Sequence, residues 1–116
     1  MRHTEHNTQV ACIRWFCAQH KDIRELLYAI PNGGRRNPRE AVRLKMEGVR
    51  AGVPDLCLAI PRGGYGALYI ELKSKTGRLS TLQKAWAEKA QEAGNKVVVC
   101  RGVEEFMEEV TNYLNR

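Results

Sequence analysis

No run in this sequence approaches the roughly 20 consecutive apolar residues that a membrane-spanning helix needs. Its opening residues, Met1-Arg2-His3-Thr4-Glu5, also lack the apolar core of a signal peptide, so a cytoplasmic protein without membrane contact is expected. Cysteine occurs four times, yet Cys12, Cys17, Cys57 and Cys100 form no Cys-x-x-Cys pair, which removes the usual signature of zinc or dithiol chemistry. Cys57 and Cys100 lie in apolar strand-like runs and read as small buried hydrophobes. Internal repeats, low-complexity segments and linkers are missing, and 116 residues leave no room for a second core, so residues 1–116 are expected to be one domain. Acids are scarce as well. Residues 1–101 hold eighteen Lys or Arg against nine Asp or Glu, because four of the thirteen acids (Glu104, Glu105, Glu108, Glu109) fall near the C-terminus. Such asymmetry suits a chain that meets a polyanion on one side.

What is present centres on Gly52 to Lys73. Leu56 to Ile60 and Ala67 to Leu72 are apolar runs of strand length, and the Gly-rich stretch from Pro61 to Gly66 supplies a turn, which predicts a β-hairpin. Strand alternation puts Tyr69, Glu71 and Lys73 on one face and Leu68, Ile70 and Leu72 on the other. Asp55, after Pro54 at the head of the first strand, comes opposite Glu71 and Lys73 when the hairpin closes. Two carboxylates from different strands are a donor set for Mg²⁺ or Mn²⁺, and a neighbouring Lys can orient a water or steady charge on a phosphodiester. Alone, Glu-x-Lys is also an ordinary same-face pair at a strand end; Asp55 makes the group unusual.

The remaining elements follow in order. Val10, Ile13 and Phe16 or Cys17 repeat at helical spacing from about Glu5 to His20. Ile23 to Ile30 fits either a helix end or a strand, and Pro31 favours a short strand. Pro31-Asn32-Gly33-Gly34 reads as a loop. A helix from Pro38 through Glu47 is capped by Asn37 and stopped by Gly48. Arg35, Arg36, Arg39, Arg43, Lys45 and Arg50 make this the most basic part of the chain and the expected phosphate-contacting surface, with Lys75 added from the loop after Lys73. Ser80 and Gln83 form a capping box opening a helix to Ala93, with Leu79, Leu82, Trp86 and Ala90 or Ala93 as its buried stripe. Trp86 reads as core rather than as a base-stacking platform. Lys96 to Arg101 is a buried strand reached by a parallel crossover beside the Glu71 strand. A final helix carries Val103, Phe106, Met107, Val110 and Leu114 at helical spacing. The order is α-β-α-β-β-α-β-α, a mixed α/β sheet flanked by helices.

Gly52-Val53-Pro54-Asp55, Glu71-Leu72-Lys73 and Gln83 in the following helix resemble the PD-(D/E)xK nuclease superfamily. Within it, the tract Pro31-Asn32-Gly33-Gly34 upstream is similar to the stand-alone, virus-type VRR-NUC branch known from bacteria and phages. The resemblance spans nearly the whole chain. It implies a restriction-endonuclease-like core and a bacterial or phage-infected cell. It further implies Asp55 and Glu71 as metal ligands, the backbone carbonyl of Leu72 as a further ligand, Lys73 as the catalytic cation and Gln83 beside the site. Glu5 matches a first-helix acid that faces the metal in the family; its other reading is an N-terminal carboxylate favoured by the helix dipole. Gln83 likewise has two readings, cap and site, which compete for one side chain.

The function expected from the sequence is divalent-metal-dependent endonucleolytic cleavage of DNA. Junction or branched DNA is the preferred substrate through the family's similarity to Holliday junction resolvases. A homodimer is the simplest way for so small a domain to cut two strands. The alternative is a DNA-binding module that retains the fold without the chemistry.

Overall fold

Four strands form one sheet in the order β1 (Leu27–Ala29), β2 (Leu56–Leu58), β3 (Leu68–Leu72) and β4 (Lys96–Cys100) in the computed structural model, which describes residues 2–31 and 37–116. The first three strands are antiparallel neighbours, and β4 lies parallel to β3. Helix α1 (Arg2–Gln19) precedes β1, α2 (Pro38–Met46) precedes β2, α3 (Thr81–Glu92) crosses from β3 to β4, and α4 (Val103–Leu114) ends the chain. The expected mixed α/β order is therefore the observed one.

Strand alternation decides which face becomes the core. Leu56, Leu58, Leu68, Ile70 and Leu72 join Cys12 and Phe16 of α1 and Phe106, Val110 and Tyr113 of α4 in one buried cluster. Each large side chain fully withdrawn from water there contributes about 1.5–3 kcal/mol. Tyr113, absent from the helical repeat read in the sequence, is completely buried, and its hydroxyl donates to the Ile60 carbonyl at 2.6 Å. It thereby ties α4 to the end of the β2 segment. All four cysteines are free thiols, three of them buried.

Several details depart from expectation. The stretch before β1 is not extended: a 3₁₀ turn covers Lys21–Leu26, leaving only three residues for the strand. Leu82, assigned to a buried stripe, is 58% exposed, and Ala90 is the one buried residue of α3. Ala93 is exposed, while Leu79 and Trp86 are half-buried. This helix lies over the opposite face of the sheet, which carries Tyr69 and Glu71, and so has a smaller apolar surface to cover. Strand β4, expected to be buried, is the edge strand beside β3; Val97, Val98 and Val99 are half-buried and Cys100 alone is buried. Helix α2 forms as read, with the Asn37 side chain accepting from the Glu40 N–H at 2.8 Å and Pro38 at its first position. None of its residues is buried, and Val42 and Met46 are exposed.

The first turn of α3 is held against the start of the β2 segment by a glycine. Gly52 has φ +93°, and a Cβ there would come within 2.6 Å of the Leu82 carbonyl oxygen. Both the backbone conformation and the close approach require the missing side chain. Gly52→Ala is expected to destabilise the protein by about 2 kcal/mol or more in urea unfolding. At Gly48, with φ +105° but open space around it, the same change should cost only about 1 kcal/mol. Equal losses at the two sites would show that the contact with α3 does not matter.

Candidate functional site

The β2–β3 ladder sets the two carboxylates. Leu58 pairs with Leu68, Cys57 with Tyr69 and Leu56 with Ile70. Continuing the register one residue sets Asp55 opposite Glu71, on the face shared by Cys57 and Tyr69. The backbone of Asp55 is still in the sheet, since its carbonyl accepts from the Ile30 N–H at 2.8 Å. Its side chain takes over where the β2–β3 ladder stops: Oδ2 accepts from the Leu72 N–H at 2.8 Å. That bond fixes the carboxylate beside the β3 backbone and leaves its other oxygen free of this contact.

Glu71 is 5% exposed, the one charged side chain that is buried among the described residues. Oε2 accepts from the Gln83 side-chain amide at 3.0 Å and lies 4.0 Å from the Lys73 ammonium. Oε1 is buried and has no hydrogen-bond partner among the described residues. Burial first, then the charge of Asp55, pushes the Glu71 carboxyl up to about 8, with Lys73 opposing the shift. Asp55 is also raised by burial, against the pull of the Leu72 N–H. The two carboxyls interact directly, and the sense of that interaction favours the proton on Glu71. A buried carboxylate oxygen without a donor is costly unless a shared proton or a cation meets it.

Gln83 makes a contact toward each of the two readings that the sequence set in competition. Its Oε1 accepts from the Ser80 N–H at 2.8 Å and its backbone N–H donates to Ser80 Oγ at 3.1 Å, completing the capping box. Its Nε2 donates to Glu71. An amide has an acceptor end and a donor end, and each role uses one.

The other residues singled out by sequence fall further away. Glu5 is exposed and lines a cavity of about 270 Å³ with Thr8, Lys73, Lys75 and Arg101. Its charge reaches Asp55 and Glu71, though among the described residues no three His, Cys, Asp or Glu side chains stand close enough to hold one metal ion. Arg39, Arg43, Lys45, Arg50 and Lys75 are exposed, and Arg43 meets Glu47 at 3.6 Å. Arg35 and Arg36 lie outside the described residues, as do Asn32, Gly33 and Gly34.

Arg101 went unnoticed in the sequence. Its Nη1 donates to the carbonyls of Ser74 at 2.7 Å and Gly77 at 2.6 Å, so it clamps the loop that follows Lys73. Its own backbone N–H donates to Glu105 at 2.7 Å. Contacts across 24 to 27 residues leave no local signal to read.

The fold and site can be compared with known proteins. The VRR-NUC domain family matches residues 1–104. A solved structure described as a VRR_NUC domain protein superposes with a TM-score of 0.85 at 28% identity, covering 97% of this chain and 88% of that one. No curated protein matches the chain. A family match over nearly the whole chain, a shared fold and an acid pair closed by one hairpin lead to one assignment: the chain belongs to the VRR-NUC family of nuclease-fold, DNA-processing domains.

Proposed function

We propose that the protein is a divalent-metal-dependent endonuclease that hydrolyses DNA phosphodiesters, with branched or junction DNA as its preferred substrate. The observation that carries this reading is the opposed pair Asp55 and Glu71, in which a buried oxygen of Glu71 has no hydrogen-bond partner among the described residues, with Lys73 4.0 Å from the other oxygen of Glu71. That orphaned oxygen fits a hard cation. Asp55 and Glu71 would hold Mg²⁺ or Mn²⁺, with the main-chain carbonyl of Leu72 as a further donor. A cation bound there lowers the pKa of a bound water and offsets charge on the phosphodiester.

The chain's own residues supply the rest. Lys73 carries its positive charge at the rim of the acid pair, where it donates to a phosphate oxygen or to the attacking water. Gln83 holds Glu71 by one oxygen and so fixes the direction of the other. As water adds to phosphorus and gives up a proton to solvent, and the bridging P–O bond breaks with its oxygen taking up a proton to leave as a hydroxyl, Lys73 steadies the charge that builds on the pentacovalent centre. Arg39, Arg43, Lys45, Arg50 and Lys75 would hold the flanking backbone through phosphate contacts, which carry no sequence information. A two-fold dimer would present one such site to each strand of a branched substrate.

Cleavage of labelled flap, junction, single-stranded and duplex substrates in Mg²⁺ or Mn²⁺ tests this reading. Wild type should cut, and Asp55→Ala, Glu71→Gln and Lys73→Ala should each lose at least about a thousandfold in rate while keeping most DNA affinity. Binding without nicking, identical in wild type and Asp55→Ala, would leave only a DNA-binding module.

Gln83 can be separated from its cap. Ser80→Ala and Gln83→Ala should each cost about 1 kcal/mol in stability, while cleavage should fall strongly only in Gln83→Ala. Equal cleavage in the two variants would reduce Gln83 to a helix cap.

The raised carboxyl of Glu71 gives a pH signature in the metal-free protein. Between the ordinary value of 4.5 and about 8, the folded protein keeps a proton that the unfolded chain has released. Stability must then fall as pH rises through that window, on the order of 5 kcal/mol in total. Thermal unfolding in EDTA should show this slope in wild type and a flatter profile in Glu71→Gln. A wild-type profile already flat over that range would place the proton elsewhere.

A further inference from the structure

The chain has eight aromatic side chains, two Trp, four Tyr and two Phe. Phe16, Phe106 and Tyr113 are fully buried, and Trp15 and Tyr65 pack on the core. Tyr69 and Trp86 meet edge to face at 4.9 Å, over the sheet face that carries Glu71. Tyr28 alone is left open, 48% exposed on the edge strand β1.

A lone exposed aromatic is ordinary; the placement of this one is not. Tyr28 pairs with Cys57, and Cys57 with Tyr69, so the two tyrosines flank a small buried thiol on one rung of the sheet. Two residues further along the strands, on the same face, comes the rung of Ile30, Asp55 and Glu71. From Asp55, Tyr28 is one strand across, about 4.8 Å, and two residues along, about 6.6 Å. The neighbouring Cys57 thiol is the first cause of the rise of the Tyr28 phenol to about 12.

We propose that Tyr28 is a stacking platform for one unpaired nucleobase of the DNA strand whose phosphate lies against Asp55 and Glu71. This deepens the nuclease reading and rests on it for the position of the phosphate. A base inside a duplex has both faces covered by its neighbours, so only an extruded or single-stranded nucleotide can offer a face to Tyr28. Branch points and flaps supply such nucleotides. Every base has a π-face, so this contact discriminates strand structure while tolerating any sequence. Lys73 on the same face and the exposed arginines of residues 39–50 favour a polyanionic occupant over a neutral one.

The test is equilibrium binding in EDTA, where no cleavage occurs, to fluorescein-labelled flap oligonucleotides carrying an abasic site moved one nucleotide at a time through the branch. Wild type should lose about tenfold or more in affinity at one position next to the branch and little elsewhere. Tyr28→Ala should lose the same factor on the intact flap, show no dependence on abasic position and bind duplex as wild type does. Tyr28→Phe should behave as wild type, because the ring and not the hydroxyl does the stacking. A flat wild-type profile overturns the proposal whether or not Tyr28→Ala folds. So does a Tyr28→Ala protein that keeps the wild-type profile, or one whose only change is its oligomeric mass in light scattering. Cleavage in Mg²⁺ with a flat profile would sink the stacking site and spare the nuclease; a stepped profile without cleavage would do the reverse.

Discussion

The hydrogen bond from the Leu72 N–H to Asp55 Oδ2 is the contact on which the site depends. It occupies the point where the β2–β3 ladder would otherwise continue, and it exchanges a backbone acceptor for a carboxylate. The register below it is set by parity. Leu56, Leu58, Leu68, Ile70 and Leu72 can all reach the core only if the hairpin closes as it does, since a slip of one residue would turn them to the other face. Core burial therefore aligns Asp55 with Glu71, although neither belongs to the core. The apolar side chains of the hairpin specify the geometry, and the acids ride on the opposite parity.

Placing Glu71 there carries a cost that the surroundings only partly offset. The side chain is almost fully buried, one oxygen has a single amide donor and a distant ammonium, and the other has neither. A protein selected for stability alone would do better with an apolar residue of similar size at this position. Strain of this kind, concentrated at two facing carboxyls and absent from the rest of the sheet, is what a site built to accept a cation would show in its metal-free form. Helix α3 is recruited to the same end. Gly52 lets its first turn approach until Gln83 reaches Glu71, and the smaller apolar contact that results is why Leu82 remains in water.

Much of this was legible in the sequence wherever a local rule governs. Strand parity in Tyr69-Ile70-Glu71-Leu72-Lys73 put the acid and the lysine on one face. Asn37 and Ser80 announced their helices through side-chain caps, and Gly48 and Gly94 ended them with positive φ angles. Legibility fails where the determining contact is remote or shared. The Gln83 amide looked like a choice between two roles because its two ends cannot be told apart in a sequence. Arg101 reaches back 24 to 27 residues, Tyr113 reaches back 53, and no periodicity encodes either. The 3₁₀ turn at Lys21–Leu26 was hidden because Leu26, Leu27 and Ala29 satisfy a short strand and a helix end equally well.

Charge is the remaining constraint. An excess of nine positive charges over residues 1–101 draws a polyanion toward the molecule, yet the residues at the proposed centre of that encounter are two acids about one strand spacing apart. Attraction at long range and repulsion at short range would hold a phosphodiester away from Asp55 and Glu71 unless the pair is neutralised. The upward shift of Glu71 favours a proton that removes one of the two charges, and the charge of Lys73 offsets part of that on Asp55. Neither supplies the density of positive charge that a reacting phosphate needs. The same two carboxyls that resist ionising side by side form a donor set of a size and hardness suited to a divalent ion. On the proposed reading, one arrangement both folds the domain and leaves room for that ion, since the upward shift of Glu71 favours its protonated form until a cation replaces the proton.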